Sequence, residues 1–309
     1  MKTNIFRLIL LLACTCQAVA QTFPSERLLE DLKTLASVEL EGRRTGTQGA
    51  VKARLFIQKR FAEIGLKPAF GKSYEQPFWV KNQKEAIEGV NLAGFIAGTK
   101  KNKQWIVICA HYDHLGKVGS TVFPGADDNA SGVAALLALA EYFTKKPPQH
   151  NLLFLTPDAE EMGLKGAKHF LKNLPFPIEQ LALHINMDMI SRSNKNELFA
   201  VGTYHYPVLK KILAQYVAKG FKLSFGHDHP QHPTQDDWSN ASDHAPFHQQ
   251  GIPFVYFGVE DHEDYHQPTD TFERIHPTFF SAVVAGIAEC VHLLDQHLNN
   301  IHKQKSQHP

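Results

Sequence analysis

Carboxylates and imidazoles collect at one kind of place in this sequence, the ends of short apolar runs. His111 and Asp113 follow Trp105 to Ala110, and Glu160 and Glu161 follow Asn151 to Thr156. Asp188 sits inside Ile185-Asn186-Met187-Asp188-Met189, Asp127 and Asp128 precede the apolar stretch from Ser131 to Phe143, and His266 comes late in the chain. In open α/β sheets, sites form outside the carboxyl ends of strands, so these positions are where chemistry is expected. Taken singly they say little. A His after a strand is more often a hydrogen-bonded structural residue, and paired acids are usually a solvated loop. Asp188 is harder to dismiss, because an unpaired carboxylate in an apolar strand is costly. Together the residues read as a metal site. Two divalent cations would be balanced by the carboxylates of Asp128, Glu161 and Asp188 and one hydroxide, with His111 and His266 binding as neutral imidazoles. That leaves Glu160 as a spare carboxylate, as a proton shuttle requires. His, Asp and Glu without Cys favour a catalytic zinc site over a structural one, which is usually closed by thiolates.

The elements that must position these groups alternate. Helical spacing covers Ser25 to Val38, Ala50 to Ile64, Ser131 to Phe143 (with Ser131 or Asn129 as cap), Leu164 to Leu174, Tyr206 to Lys219 and Thr278 to His297. Strands are expected over Glu85 to Ala97, Trp105 to Ala110, Asn151 to Thr156, His184 to Met189 and Phe254 to Phe257. This alternation predicts an α/β fold, a single domain with a mixed, largely parallel central sheet flanked by helices. Residues Gly226 to Trp238 read as a polar, flexible loop that rims the cleft, so His227, His229 and His232 are not taken as ligands.

The chain of 309 residues, with a formal net charge of +1, gives no electrostatic reason to expect nucleic acid as a partner. Lys2 and Arg7, the apolar run Leu8 to Ala13 and Ala18-Val19-Ala20 read as a signal peptide over residues 1–20, with a domain over 21–309 and an exported, periplasmic or secreted product. A lipoprotein signal ending at Cys14 ranks second. No later stretch is expected to span a membrane. Cys109 and Cys290 are expected as buried thiols, and the oligomeric state is not legible.

Five segments, Ala110-His-Tyr-Asp-His, Pro124-Gly-Ala-Asp-Asp-Asn-Ala-Ser-Gly, Ala159-Glu-Glu-Met-Gly-Leu-Lys-Gly, Asn186-Met-Asp-Met and Tyr265-His-Gln-Pro-Thr-Asp-Thr, resemble metallopeptidase family twenty-eight of clan MH, which includes the secreted bacterial leucyl aminopeptidases. The segments occur in family order and cover most of the chain from about Leu40 onward. The resemblance implies the zinc-dependent exopeptidase fold (phosphorylase/hydrolase-like) and two Zn2+ per chain. Asp128 would bridge the ions, His111 and Asp188 would complete one, and Glu161 and His266 the other. Glu160 would be the general base and then the acid, and Tyr265 a donor to the oxyanion. Asp113 would accept a hydrogen bond from His111, Asp243 would lend support from outside the ligands, and the Asp128-Asn129 bond would be cis. The Arg43-Arg44-Thr45-Gly46 segment also matches, though the start of a helix explains it equally well.

The implied reaction is hydrolysis of the N-terminal peptide bond of peptides with a free N-terminus. Rival readings are a glutaminyl-peptide cyclase, typically with one zinc, and a carboxypeptidase or dipeptidase, for which Arg43, Arg44, Arg192 and Arg274 could supply a carboxylate pocket. A non-catalytic binding module is the reading of another class.

Overall fold

The computed structural model describes residues 25–81, 86–101, 103–232, 234 and 236–305. The expected signal peptide, with Cys14, lies outside the described residues.

In chain order the elements are α1 (Ser25–Leu35), α2 (Gln48–Ile64), β1 (Lys67–Pro68), β2 (Glu75–Lys81), β3 (Ala86–Ile96), β4 (Trp105–Cys109), β5 (Gly116–Val118), β6 (Thr121–Phe123) and α3 (Gly132–Lys145). There follow β7 (Asn151–Thr156), α4 (Lys165–Lys172), β8 (Leu181–Met187), β9 (Glu197–Val201), α5 (Pro207–Leu213), β10 (Lys222–Phe225), α6 (Ala245–His248), β11 (Phe254–Gly258), α7 (Pro277–Gln296) and α8 (Leu298–Lys305). One sheet runs β1-β3-β7-β4-β8-β11-β9-β10, with β2 also paired to β3. Its centre, β7-β4-β8-β11, is parallel throughout, while β1, β2 and β7 meet β3 antiparallel and β9 meets β11 antiparallel. The predicted mixed, largely parallel α/β sheet flanked by helices is therefore what the chain forms.

The period-2 alternation of strand side chains explains the layering. Ile106, Ile108, Leu152 and Phe154 join the larger apolar cluster with α1, α2, α3 and α7. Val107, Cys109, Leu153 and Leu155 point to the opposite face, against Ala167 and Phe170 of α4 and Phe247 of α6. Because both faces are covered, the central strands read as unbroken apolar runs. Each fully buried Leu, Ile or Phe contributes roughly 1.5–3 kcal/mol relative to exposure. Cys109 and Cys290 are buried free thiols, as expected.

Several elements differ from expectation. β2, β9 and β10 are not among the predicted strands, and α5 ends at Leu213 rather than Lys219. β8 ends at Met187, which places Asp188 just beyond the strand instead of within it. The expectation of no later span-length apolar helix fails on composition, since α7 is 20 residues long and apolar enough to cross a membrane. A little over half of it is buried in the fold, with Phe280, Val283, Val284, Ile287 and Val291 in the core.

Two features draw the loops at the strand ends together. Gly125 takes φ +57, and a Cβ there would lie 2.1 Å from the Asp128 carbonyl oxygen, so the turn into Asp127-Asp128 requires glycine. Arg43, fully buried, donates to the carbonyls of Leu35 at 2.7 Å, Tyr112 at 2.8 Å, Pro124 at 2.6 Å and Gly125 at 2.9 Å. It thereby ties the loop after β4 to the loop before α3. Each buried carbonyl left unpaired costs ~1–3 kcal/mol. Arg43→Met should therefore lower unfolding free energy by about 4 kcal/mol or more in urea denaturation, and an unchanged midpoint would show that the clamp carries no weight.

Candidate metal centre

The four central strands end side by side, and each hands a chemical group to the same space. His111 and His114 follow β4, Glu160 and Glu161 follow β7, Asp188 follows β8, and Tyr265 and His266 lie beyond β11. Asp128 reaches the space from the turn ahead of α3, and the Asp128-Asn129 bond is cis. The five residues expected as metal ligands, together with Glu160 and Tyr265, line one cavity of about 390 Å³.

Two sets of ligand atoms share Asp128. His111 Nε2 lies 3.5 Å from Asp128 Oδ1 and 3.3 Å from Asp188 Oδ1. On the other side, His266 Nε2 lies 3.1 Å from Asp128 Oδ2 and 3.6 Å from Glu161 Oε2. Among the described residues no Lys or Arg comes within ion-pair distance of Asp128, Glu161 or Asp188, whose ion-pair contacts are all to imidazoles. Three carboxylates held together with no Lys or Arg, facing imidazole nitrogens that can donate to a metal once deprotonated, fit divalent cations.

The electrostatics agree. Burial opposes charge on His111, but Asp188, Glu160 and Asp128 outweigh it and hold the imidazole well above its usual range. Burial raises Glu160, reinforced by Asp243, Asp188 and Asp113 and partly offset by His111. Burial also raises Glu161. Burial and the surrounding acids push the Tyr265 hydroxyl up, which keeps it a donor, and its ring stacks on His266 with centroids 3.9 Å apart.

Around this centre the contacts differ in detail from expectation. His111 Nδ1 meets the backbone carbonyl of Asp113 at 3.1 Å, whereas the Asp113 carboxylate is 3.8 Å away. That carboxylate instead accepts the backbone N–H of Glu160 at 3.0 Å and of Glu161 at 3.3 Å, so it shapes the turn carrying both glutamates. Asp243 is buried with both oxygens unpartnered among the described residues, and burial pushes it up to about 7. The support for Asp188 comes from the preceding residue, since Ser242 Oγ donates to Asp188 Oδ2 at 2.7 Å and accepts from Asn186 at 2.9 Å.

Other contributors were not singled out from sequence. His114 Nδ1 lies 2.9 Å from Glu161 Oε1 and 3.6 Å from Asp128 Oδ2, and burial lowers it to about 3. Its place inside the His-Tyr-Asp-His segment was the available signal. Asp270 accepts the amides of Asp127 at 3.0 Å and Asp128 at 3.1 Å, which locks the His266 segment to the bridging acid. Asp127 itself accepts from Ser191 at 2.7 Å and faces His262 Nε2 at 3.0 Å. Thr45 donates to Asp158 at 2.7 Å, so the Arg43–Gly46 segment braces the site rather than only starting a helix.

The loop from Gly226 to Trp238 is anchored at its described ends. His227 is buried and stacks on Trp238 with centroids 3.6 Å apart, and Asp228 accepts from Gly202 at 2.8 Å and Tyr204 at 2.9 Å. It does rim the cleft, through Trp238. Arg43 is occupied with carbonyls, and Arg192 and Arg274 both pair with Asp264 and Glu263. Among the described residues no arginine lines the cavity.

A parallel-centred α/β sheet with His, Asp and Glu converging at its strand ends defines the zinc exopeptidase class of fold. The match is sharper than the fold alone: a model of peptidase family M28 fits residues 91–291, and the chain belongs to that family. Among curated relatives, the aminopeptidase YwaD of Bacillus subtilis is 27% identical over 238 residues, covering 69% of this chain and 47% of that protein. The chain spans about half the length, or less, of most of the curated relatives it matches. Among solved structures, a leucine aminopeptidase precursor from Bacteroides thetaiotaomicron superposes with TM-score 0.69 at 17% identity, covering 88% of this chain and 97% of that one. A glutaminyl cyclase from Porphyromonas gingivalis also superposes with TM-score 0.69 at 17% identity, covering 87% and 98%.

His114 with Asp128 and Glu161 could itself hold a metal ion, and even a partner that only orients a ligand typically tunes metal affinity by about 10–100-fold. His114→Ala, with unchanged circular dichroism, should weaken zinc binding by at least ~10-fold in a competition titration with a chromophoric chelator. Affinity equal to wild type would show that the His114–Glu161 contact is incidental.

Proposed function

We propose that this protein is a di-zinc aminopeptidase that hydrolyses the N-terminal peptide bond of peptides with a free N-terminus, with residues 21–309 as its single catalytic unit. The observation that carries the reading is Asp128 shared between two ligand sets, with Glu160 in the same cavity and engaged in neither. His111 and Asp188 would hold one ion, Glu161 and His266 the other, with Asp128 between them. When bound, such a pair supplies a hydroxide at neutral pH and polarises the scissile carbonyl.

The chain's own residues do the rest. Glu160, whose backbone N–H donates to the Asp113 carboxylate, takes the proton at its own carboxylate and delivers it to the leaving amine. Tyr265 donates its hydroxyl hydrogen toward the carbonyl oxygen. The acidic, metal-lined end of the cavity receives the α-ammonium group, which selects an unblocked N-terminus. The basic and apolar composition of residues 1–20 supports export of the chain.

A cyclase acting on N-terminal Gln shares the fold and is the rival that the structural likeness keeps in view. Two groups of potential ligands that share Asp128, His111 with Asp188 and His114 with Glu161, the latter also faced by His266, favour the peptidase, and an aminopeptidase among the curated relatives points the same way. A carboxypeptidase reading lacks an arginine in the cavity among the described residues.

Aminoacyl-nitroanilides should be hydrolysed by the zinc-loaded protein, with activity lost to a chelator and absent on N-acetylated substrates. Closure of N-terminal Gln without any nitroanilide cleavage would overturn the proposal. Glu160→Gln should keep its zinc yet lose roughly 10³-fold in kcat, and full activity would remove the shuttle role. His266→Ala should lose one zinc equivalent by elemental analysis, and an undiminished content would contradict its assignment.

A further inference from the structure

The cavity over the metal centre holds one carboxylate that the proposed reaction does not use. Asp261 lies just past β11, and Val259 N donates to the Met189 carbonyl at 3.0 Å, so this stretch runs beside the residue that follows Asp188. Asp261 lines the same cavity as Glu160 and Asp188, but it is exposed whereas Asp188 is buried, which places it at the mouth. Among the described residues Asp261 makes no hydrogen bond or ion pair, and no Lys or Arg lines the cavity. The same cavity is lined by apolar surfaces from Met189, Trp238, Tyr256 and Val259.

The charges in this space leave a remainder. Asp128, Glu161 and Asp188 face the proposed cations, and Glu160 faces the proton it moves and the substrate's α-ammonium group. Asp261 has no ion-pair partner among the described residues, although it also borders a neighbouring pocket with Arg192 and Lys195, which pair with other acids. An α-nitrogen sits one carbon from the scissile carbonyl, so it must lie deep, beside Glu160 and Asp188. The end of a long side chain on that same residue lies several bonds further out, where Asp261 stands.

We propose that Asp261 makes this site select peptides whose N-terminal residue has a cationic side chain of the lysine or arginine class. The methylene stem packs against Trp238, Tyr256, Met189 and Val259, and the cation meets the Asp261 carboxylate. Methylene stems suit such apolar walls, and a carboxylate at their outer end distinguishes lysine from its uncharged isostere norleucine. This inference rests on the aminopeptidase reading.

The experiment compares kcat/KM for lysyl-, arginyl- and norleucyl-4-nitroanilide on the zinc-loaded protein. Wild type should prefer lysine and arginine over norleucine by about tenfold or more, with the preference shrinking at high salt. In Asp261→Asn the lysine-to-norleucine ratio should fall about tenfold, mainly through KM. In Asp261→Lys the glutamyl-to-glutaminyl ratio should rise. A lysine-to-norleucine ratio unchanged within about twofold in Asp261→Asn, whether or not overall activity drops, would overturn the assignment, as would a wild type that favours norleucine. In both cases nitroanilide cleavage still stands, so the aminopeptidase reading survives. A protein that cleaves none of these substrates loses both.

Discussion

The crowding of buried carboxylates at the ends of four parallel strands is the constraint on which this structure turns. Among the described residues, Asp128, Glu161 and Asp188 meet only the rings of His111, His114 and His266 within ion-pair distance. Like charges this close, removed from water, raise one another's proton affinity and oppose folding unless a cation joins them. The upward displacement of Glu160 and Glu161 by burial is that cost made visible. Family M28 membership and the geometry thus meet in one physical argument, because the arrangement makes sense as a receptacle for divalent charge.

Holding such a cluster requires backbone more than side-chain partners. Asp113 and Asp270 each spend their carboxylate on two consecutive amides, those of Glu160 and Glu161 in one case and of Asp127 and Asp128 in the other. Arg43 does the converse, giving its N–H groups to four carbonyls from three segments. These bonds fix where Cα atoms sit without competing for the ligand oxygens. That division explains why the motif segments are longer than their ligands alone would need. Each carries one residue for the chemistry and a neighbour that ties it to another segment.

Strand identity and the position of the chemical groups were legible because the parallel centre is buried on both faces and therefore writes itself as apolar runs such as Trp105 to Cys109 and Asn151 to Thr156. β9 and the edge strand β10 were not, since both are short with polar starts at Glu197 and Lys222, and no residue of β10 is buried. That these acids and imidazoles would gather in one cavity was readable from residue chemistry, whereas the contacts around them were not. Whether Asp113 meets His111 through its carboxylate or its carbonyl depends on a loop conformation that no residue type encodes. Ser242 and Asp243 stand next to each other in sequence, yet only Ser242 faces Asp188, because a turn points adjacent side chains in different directions. Arg43 looked like a helix start until its burial showed what the guanidinium holds.

The likeness to both an aminopeptidase precursor and a glutaminyl cyclase at the same TM-score shows that the sheet does not decide the reaction. In this chain the cavity wall is built from the loops that follow β4, β7, β8 and β11, the turn ahead of α3 and the segment around Trp238. That wall includes the apolar Met189, Trp238, Tyr256 and Val259 and the exposed acid Asp261. A cyclase must fold an uncharged side chain back onto its own amine, and a carboxylate at the rim gives that reaction no help. A hydrolase that admits extended substrates can use the rim, because the side chain it recognises points away from the bond it breaks. The burial that forces charge compensation around Asp128 and Asp188 does not extend to exposed wall residues such as Asp261, which can change at little cost to the fold.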